Sequence, residues 1–367
     1  MENLRAIIID CIPPGMPPDD AESRLKEAER LVTTYGGIVV VEAVQRRAQP
    51  DYKTFVGSGK LEEVLWMAQQ KQANILIVNN ELKPAQVWNI KELYKDAKIQ
   101  VWDRVDLILK IFEKHAKTKE AKLEIELASI KHMGPRIFGM GMELSRQGGG
   151  IGTRGQGETN TEVMKRHLAT QERKIREELK QCEKSRDLHM QYRDRHGLKT
   201  VGIIGYTNAG KSTLLNALTH KGAYAADQLF ATLDTRVGNM YLPTLQKEVL
   251  VSDTIGFIQD LPTNLIESFH STLAETVHAD LLLHTIDASD ARIVEKMAVV
   301  HDVLKGIKVD AKPVLYVFNK CDQVSKEGID QLRETFGTFD PIFVSSKTKT
   351  GIDELKERIS KFFMGSI

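Results

Sequence analysis

The sequence predicts a three-part α/β protein, and three observations support this. Short runs rich in Val and Ile alternate with amphipathic segments over residues 1–105, and the same alternation returns over residues 198–367. Residues 106–197 lie between them and carry long, highly charged helical patterns around a glycine-rich stretch. Because alternating strands and helices form parallel sheets covered by helices, we expect an N-terminal parallel α/β domain, an antiparallel helical hairpin and a C-terminal α/β domain.

The composition is that of a folded protein without membrane segments. Of the 367 residues, 41% are hydrophobic and 28% are charged, which suffices for buried cores. The cysteines Cys11, Cys182 and Cys321 form no CxxC pair, so neither a disulfide framework nor a zinc site is indicated. No apolar run approaches the roughly 18 residues of a membrane span, and the run at 6–9 stops at Asp10, too soon for a secretion signal. We expect a cytoplasmic monomer without membrane contact.

The elements of the first domain follow from the spacing of its apolar residues. Its predicted strands are residues 6–9, 38–41, 75–78 and 99–102, and its predicted helices are residues 19–34, 61–70 and 84–94. The segment GSGK at 57–60 suggests a second nucleotide site, but it lacks the full spacing of a phosphate loop. We expect a tight turn that enters a helix.

The middle part predicts two long helices that pack on each other. Apolar residues recur in the first helix at Ile108, Phe112, Leu123, Leu127 and Ile130, and in the second at Leu168, Ile175 and Cys182. Each apolar stripe is narrow, so antiparallel pairing of the two helices would bury both. Residues 134–157 hold nine of the chain's 26 glycines, and we expect a loop there instead of helix or strand.

This middle part is also the basic part of the chain. The whole chain carries 51 Lys and Arg against 50 Asp and Glu, but residues 113–199 carry 19 against 13. Arg136, Arg146 and Arg154 lie in the glycine-rich stretch, where backbone can approach phosphates closely and arginine can pair with phosphate or stack on a base. We predict that these arginines bind RNA. The alternative is a solvated, charged hairpin with a mobile loop.

A phosphate-binding loop opens the third part. Residues 205–212, GYTNAGKS, match GxxxxGK[ST] between an apolar strand at 200–204 and a helical run. In this motif backbone N–H groups and the helix N-terminus hold the phosphates, Lys211 reaches the β and γ oxygens, and the Ser212 hydroxyl binds Mg²⁺. Further strands are predicted at 248–252, 280–286, 313–318 and 341–344, followed by a helix at 352–363.

The segment after strand 313–318 indicates which base is bound. Asn319, Lys320 and Asp322 fit NKxD, the guanine-binding motif of the GTPase superfamily. The Asp322 carboxylate accepts from guanine N1–H and the 2-amino group, whereas adenine would leave that charge unpaired, a penalty of about 10⁴-fold. We expect Lys320 along the base and Asn319 against the phosphate loop. The run Ser345, Ser346, Lys347 fits the segment whose backbone supports the base.

Two more segments complete the predicted site. Residues 253–256, DTIG, fit DxxG, so Asp253 is expected to hold Mg²⁺ through water and the Gly256 N–H to sense the γ-phosphate. Thr232 is expected to bind Mg²⁺ when the γ-phosphate is present, with Thr235 as a competitor. Phe257 follows DxxG where Ras-like proteins carry the glutamine that orients water, so we expect slow intrinsic hydrolysis unless a partner supplies a polar group.

The predicted catalytic residues are Lys211 and Thr232, and the predicted Mg²⁺ ligands are Ser212 and Thr232. The predicted GTP-binding residues are Gly205, Tyr206, Thr207, Asn208, Ala209, Gly210, Lys211, Ser212, Thr213, Phe230, Ala231, Thr232, Asp253, Thr254, Ile255, Gly256, Asn319, Lys320, Asp322, Ser345, Ser346 and Lys347.

The order of these motifs resembles that of Ras-like P-loop GTPases, and strings in all three parts resemble the HflX-type, ribosome-associated GTPases. The strings are FVGSGK at 55–60, DRVDLIL at 103–109, TKEAKL at 118–123, GGGIGTRG at 148–155, GET at 157–159, DTIGF at 253–257 and DLP at 260–262. Gln156 and Thr235 depart from this pattern, because members usually have proline at both positions.

This resemblance implies binding to the large ribosomal subunit and its rRNA, with the glycine-rich loop near the peptidyl transferase region. It further implies GTP-dependent splitting or rescue of stalled or idle ribosomes under stress. Two alternatives stay open: a large-subunit assembly or hibernation factor that uses GTP as an occupancy switch, and a GTPase that acts on a protein partner.

Overall fold

A computed structural model of the chain describes residues 4–147, 160–219, 236–254, 256–258 and 277–365. The chain divides into two compact units. Unit 1 comprises Met1–Lys114 and Leu123–Glu178, and unit 2 comprises His115–Lys122 and Leu179–Ile367. Both units are α/β, as predicted. The division into three domains at 105 and 197 stays a prediction.

Unit 1 is built on a four-stranded, wholly parallel sheet. Its strands are β1 (Arg5–Ile12), β2 (Ile38–Arg46), β3 (Ile75–Val78) and β4 (Gln100–Asp103), in the order β2-β1-β3-β4. Its shorter helices are α1 (Pro18–Tyr35), α2 (Ser58–Gln70), α3 (Pro84–Tyr94) and α4 (Arg104–His115). Strands β1 and β3 are buried over almost their whole length, which is why both consist of near-continuous apolar runs.

Two glycines set the entry and exit of helices in unit 1. Gly36 follows α1 with φ +100°, and its N–H donates to the carbonyls of Val32 and Thr33, which closes the helix end. Gly57 precedes α2, and its N–H donates to the Gln45 side chain at 2.8 Å. Gly57 is extended, and Ser58, Gly59 and Lys60 already form the first turn of α2. The GSGK segment is therefore the N-terminal end of this helix, and the turn predicted before residue 61 is wrong for residues 58–60.

Two long helices follow, α5 (Lys119–Gln147) and α6 (Asn160–Arg195). We expected the first long helix to run without interruption from residue 106, but α4 ends at His115 and α5 begins separately. The Thr118 hydroxyl accepts the Ala121 N–H at 3.2 Å and so caps the new helix. Within unit 2, Arg186 of α6 lies 2.7 Å from Glu120 of α5, which places the end of one helix beside the start of the other.

The predicted loop at 134–157 is wrong for residues 134–147, which continue α5. Glycine and proline disfavour a helix, but residues 140–147 are mainly strong helix formers, Met, Glu, Leu, Arg and Gln. Arg136 also anchors the turn that Pro135 weakens, through ion pairs with Asp103 and Asp106. Long-range contacts here override the local preference.

Unit 2 is built on a six-stranded sheet. Its strands are β5 (Thr200–Gly205), β6 (Arg236–Leu242), β7 (Lys247–Asp253), β8 (Leu281–Asp287), β9 (Val314–Asn319) and β10 (Ile342–Phe343), in the order β10-β9-β8-β5-β7-β6. All neighbours are parallel except β6, which pairs antiparallel with β7. Its other helices are α7 (Lys211–Leu218), α8 (Ile293–Gly306), α9 (Lys326–Thr335) and α10 (Ile352–Phe363).

Strand β6 has no counterpart among the predicted strands. The carboxyl ends of β5, β7, β8 and β9 meet at one edge of the sheet, where an open α/β sheet binds its ligands. Among the described residues, no helix is both long enough and apolar enough to cross a membrane.

Candidate functional site

The phosphate loop lies between β5 and α7, and its backbone conformation depends on glycine. Gly205 and Gly210 have φ values of +149° and +90°. A side chain on Gly205 would overlap the carbonyl oxygen of Thr285 on β8, and one on Gly210 would overlap the Asn319 amide nitrogen. Both glycines are thus required by close approach as well as by φ.

Lys211 lies inside this loop. Its side chain is buried, and Nζ donates to the carbonyl oxygen of Tyr206 at 2.8 Å. Burial lowers the pKa of Lys211 to about 8, although the negative charge of Asp253 acts in the opposite direction. At pH 7 the amine therefore still carries most of its positive charge, as phosphate binding requires.

The two sides of the predicted metal site meet beside Lys211. The Ser212 hydroxyl at the start of α7 donates to Asp253 Oδ2 at the end of β7, at 2.7 Å. A hydroxyl and a carboxylate oxygen at this separation are ligands of the type that Mg²⁺ prefers. Thr254, the next residue, is buried and donates to the Ile203 carbonyl at 2.7 Å, which ties this segment to β5.

The NKxD segment is joined to the phosphate loop and to the segment at 345–347. Asn319 Nδ2 donates to the Ala209 carbonyl at 2.9 Å, the contact with the phosphate loop that the sequence led us to expect. Asn319 Oδ1 accepts from the Ser346 N–H at 3.0 Å and from its hydroxyl at 2.9 Å. One side chain therefore holds three loops of the site together.

The residue expected to select guanine is held in the same way. The Ser345 hydroxyl donates to Asp322 Oδ1 at 2.6 Å, and the Cys321 N–H donates to the Val344 carbonyl at 3.1 Å. Lys320 Nζ lies 2.7 Å from Asp287 Oδ2 at the end of β8. The carboxylate and the lysine are oriented by the protein itself.

Phe257 faces the interior of unit 2. It is 2% exposed and packs in a cluster with Ile204, Leu282 and Val300. Its backbone is bonded to the phosphate loop: the Thr207 N–H donates to the Phe257 carbonyl at 2.7 Å, and the Phe257 N–H donates to the Gly205 carbonyl at 3.2 Å. The position after DxxG therefore contributes packing, and its side chain offers no polar group to a water molecule.

Comparison with known proteins is consistent with this geometry. Three family descriptions match consecutive stretches: the N-terminal region of a GTP-binding GTPase at 22–113, its middle region at 115–193, and a 50S ribosome-binding GTPase at 200–320. The GTPase HflX of Caldanaerobacter subterraneus subsp. tengcongensis is 42% identical over 357 residues, 97% of this chain and 80% of that protein. The GTPase HflX of Escherichia coli K12 is 39% identical over 349 residues, 94% of this chain and 80% of that protein.

The chain belongs to the HflX family of GTPases. As a member of that family it binds and hydrolyses GTP. The crystal structure of SsGBP in complex with GDP has the same overall fold, with a TM-score of 0.55 and 23% identity over 99% of this chain and 100% of that chain. A GTP-binding protein of Sulfolobus solfataricus in complex with GDP gives a TM-score of 0.50 at 23% identity, over 97% of this chain and 98% of that chain.

The prediction that Arg136 binds RNA is corrected by its environment in this HflX protein. Arg136 is 5% exposed, and its guanidinium pairs with Asp103 and Asp106. Its charge is already used inside unit 1. No local pattern indicates this environment, because the two partners lie about 30 residues earlier in the chain.

Several other predicted residues have no structural account here. Arg146 lies in α5, but its side chain is outside the described residues. Phe230, Ala231, Thr232, Ile255 and Arg154 also lie outside the described residues. Their assignments stay predictions.

The structure adds residues that the HflX motifs did not indicate. Asp287 holds Lys320, and its position at the carboxyl end of a buried strand was the available signal. Lys296 of α8 lies over the ring of Tyr206, 4.9 Å from its centroid, and pairs with Asp290. This contact ties the second residue of the phosphate loop to α8.

Proposed function

We propose that this HflX GTPase binds the large ribosomal subunit and its rRNA through the basic hairpin, and that it uses GTP to split or rescue stalled or idle ribosomes under stress. The observation that carries the proposal is the match of residues 200–320 to a 50S ribosome-binding GTPase family. The adjoining segment 113–199, with 19 Lys and Arg against 13 Asp and Glu, suits an RNA target. A ribosomal partner implies a cytoplasmic protein, and we expect a monomer.

Within this proposal, Lys211 and the N–H groups of 205–212 bind the phosphates. Mg²⁺ is assigned to Ser212 and Thr232, with Asp253 holding it through water, because the Ser212 hydroxyl and Asp253 carboxylate converge at 2.7 Å. When bound, Mg²⁺ neutralises charge on the β- and γ-phosphates. Asp322, held by Ser345, selects guanine.

Hydrolysis itself is attack of water on the γ-phosphorus. Lys211 stabilises the charge that develops on the phosphate oxygens. Phe257 is buried and apolar, so it orients no water. We propose that the ribosome raises the rate by restricting the segments around Thr232 and Gly256 or by supplying the polar group.

The burial of Phe257 also favours a second candidate function. A GTPase whose own chain orients the attacking water poorly holds GTP for a long time, and bound GTP then works as an occupancy signal. A large-subunit assembly or hibernation factor needs only such a signal. It would bind and leave the subunit according to the nucleotide, without separating joined subunits.

Sedimentation of 70S ribosomes tests the two functions against each other. We expect the protein with GTP, or with a non-hydrolysable analogue, to convert 70S particles into free subunits and to sediment with the large one. The matched control is Lys211→Met, which should lose both effects because it cannot hold the phosphates. Binding to large subunits without any loss of the 70S peak would favour the assembly or hibernation role, and no binding would contradict both.

A further inference from the structure

Four charged side chains of unit 1 meet where β4 joins α4, beside the middle of α5. Arg136 Nη1 lies 2.7 Å from Asp106 Oδ2, and its Nη2 pairs with Asp103 Oδ2. His132 Nε2 lies 3.2 Å from Asp106 Oδ1 and 3.4 Å from Asp103 Oδ1. None of these side chains is more than 12% exposed. We call these four residues the α5 clamp.

The two carboxylates form a rigid socket. The Asp106 N–H donates to Asp103 Oδ1 at 2.8 Å, and the Asp103 N–H donates to Asp106 Oδ2 at 3.0 Å. Asp103 Oδ2 also accepts the Leu82 N–H at 3.0 Å. Backbone N–H groups outside α5 thus orient both carboxylates, so the position of the socket at the end of β4 does not depend on α5.

The same cluster also has the composition of a metal site. Asp103, Asp106 and His132 offer ligand atoms within 4.8 Å of one another. However, the guanidinium of Arg136 already contacts both carboxylates, and it would repel a second cation. Two cationic side chains balance two carboxylates, so the cluster functions as a set of ion pairs.

The two basic residues lie on either side of a weak point in α5. Pro135 lies inside this 29-residue helix and has no N–H to donate to the preceding turn, and helices bend at such positions. His132 and Arg136 are four residues apart and therefore lie on the same face of the helix. The socket consequently holds the last turn before the proline and the first turn after it.

We propose that the α5 clamp sets the direction of the part of α5 beyond Pro135, so that its four residues position the distal end of the hairpin. Residues 137–147 extend for about 16 Å at 1.5 Å per residue, so a 10° change at Pro135 would move the helix end by about 3 Å. That displacement is the length of a hydrogen bond. The functional consequence rests on the proposed binding of the hairpin to the ribosome.

The test measures the distance between two spin labels in unit 1. One is at Tyr52→Cys, between β2 and α2, and the other at Val163→Cys, near the start of α6 at the distal end of the hairpin. These positions are 88% and 44% exposed. Cys182 and Cys321 are replaced by serine, and Cys11 is buried. We expect Arg136→Met and Asp106→Asn each to shift the mean label distance or to widen its distribution at least twofold. Arg136→Lys keeps the positive charge, so its distribution should stay almost as narrow as that of the labelled protein with Arg136.

The matched control is Arg24→Met, which removes a buried ion pair to Asp10 on β1. All three tryptophans, Trp66, Trp88 and Trp102, lie in unit 1, so their fluorescence reports the unfolding of that unit by urea. We expect Arg24→Met and Arg136→Met to lower the midpoint similarly, but only the latter to change the distances. Unchanged distances in Arg136→Met, or equal broadening in Arg24→Met, would overturn the proposal.

Pelleting with large subunits measures the functional consequence on the same variants. We expect Arg136→Met to weaken ribosome binding at least tenfold while GDP affinity stays unchanged, and Arg24→Met to leave both unchanged. If the unmodified protein does not pellet, the proposed ribosomal function fails, but the label distances still decide the role of the clamp. Broadened distances with normal ribosome affinity would refute the link between the clamp and ribosome binding.

Discussion

The backbone N–H of Thr207 donates to the carbonyl of Phe257 at 2.7 Å, so the phosphate loop and the segment after DxxG are bonded directly. Gly256, the residue before Phe257, is packed closely against the phosphate loop. A Cβ added at Gly256 would lie 2.8 Å from Lys211 Nζ and 2.7 Å from Thr207 Cγ2. Hydrogen bonds hold the backbone of Phe257, and its ring is buried, so the side chain at this position points into the core. A glutamine placed at this position should therefore not reach the water that attacks GTP.

We expect Phe257→Gln to leave intrinsic GTP hydrolysis within threefold of the unmodified rate and to destabilise unit 2 by about 3 kcal/mol. The loss arises because an aromatic core residue is removed and an amide is buried without partners. Single-turnover hydrolysis and thermal unfolding by calorimetry measure the two effects. Phe257→Leu is the control for volume, and a tenfold faster rate in Phe257→Gln would show that this side chain does reach the γ-phosphate.

Gly210→Ala should weaken GDP binding by about 10- to 100-fold. The new methyl group would displace the Asn319 amide, which holds Ala209 at 2.9 Å, and the φ of +90° is unfavourable for alanine. Isothermal titration calorimetry measures the affinity. Gly59→Ala is the control, since no atom outside its neighbours lies within 4 Å of the added Cβ, and it should bind GDP normally. Equal affinities for both variants would contradict the steric explanation.

Guanine selection should depend on Ser345 as well as Asp322. We expect Asp322→Asn to shift the preference toward xanthine nucleotides, because xanthine has an oxo group where guanine has the amino donor. Ser345→Ala should weaken GDP binding about fivefold and keep the preference for guanine, since it removes one bond that orients the carboxylate.

Ser346→Ala is the matched control for Ser345→Ala. Asn319 Oδ1 would still accept the Ser346 N–H at 3.0 Å after the hydroxyl is lost, so the effect should be smaller. Competition of GDP, XDP and ADP against a fluorescent guanine nucleotide gives all the affinities. A larger loss in Ser346→Ala than in Ser345→Ala would contradict this ranking.

Elements whose burial follows a simple period were predictable from the sequence. The bounds of β3, α3 and α10 agree with the apolar patterns at 75–78, 84–94 and 352–363. Strand β6 was missed although its burial alternates from Gly238 to Leu242. Gly238 and Asn239 are poor strand formers, and Tyr241 is an exposed aromatic residue, so residue types hide the alternation that pairing with β7 produces.

The same distinction holds for the site. Motifs of short, fixed spacing predicted Lys211, Asn319 and Asp322, and the fold brings their segments together. Arg136 was assigned to RNA because its local neighbours are glycines, whereas its environment comes from Asp103 and Asp106 on another element. Asp287 was missed although its place at the carboxyl end of a buried strand was a signal, because its pairing with Lys320 depends on the fold. Partners from distant parts of the chain have no local signal.

Arg146 and Arg154 are the remaining candidates for rRNA contact. Replacing both by alanine should weaken large-subunit binding and make it less dependent on salt. The slope of the logarithm of the binding constant against the logarithm of salt concentration should become shallower by about 0.7 to 0.9 per lost phosphate contact. GDP affinity should stay unchanged, because the phosphate and base motifs lie beyond residue 197. Pelleting at several salt concentrations measures the slope, and normal binding after deletion of residues 148–157 would refute a role of the glycine-rich stretch in binding.

The stability that the α5 clamp provides should depend on pH. Burial by itself disfavours the charged form of His132, but ion pairs with Asp103 and Asp106 outweigh it and raise the pKa of His132 to about 9. Burial likewise opposes ionisation of Asp106, yet His132 and Arg136 hold the pKa of that carboxyl well below its usual range. Protonated His132 thus favours the folded state over the unfolded state, where its pKa is about 6.5.

Because the folded pKa is the higher one, this stabilisation is complete below about pH 6.5 and is lost as pH rises toward 9. The free energy of unfolding, from urea titrations followed by tryptophan fluorescence, should fall across that window by about 3 kcal/mol. His132→Gln should be less stable at pH 6 and should converge with the unmodified protein near pH 9.5. A constant difference between the two proteins from pH 6 to 9.5 would mean that His132 is neutral in the clamp, and that Arg136 alone balances the two carboxylates.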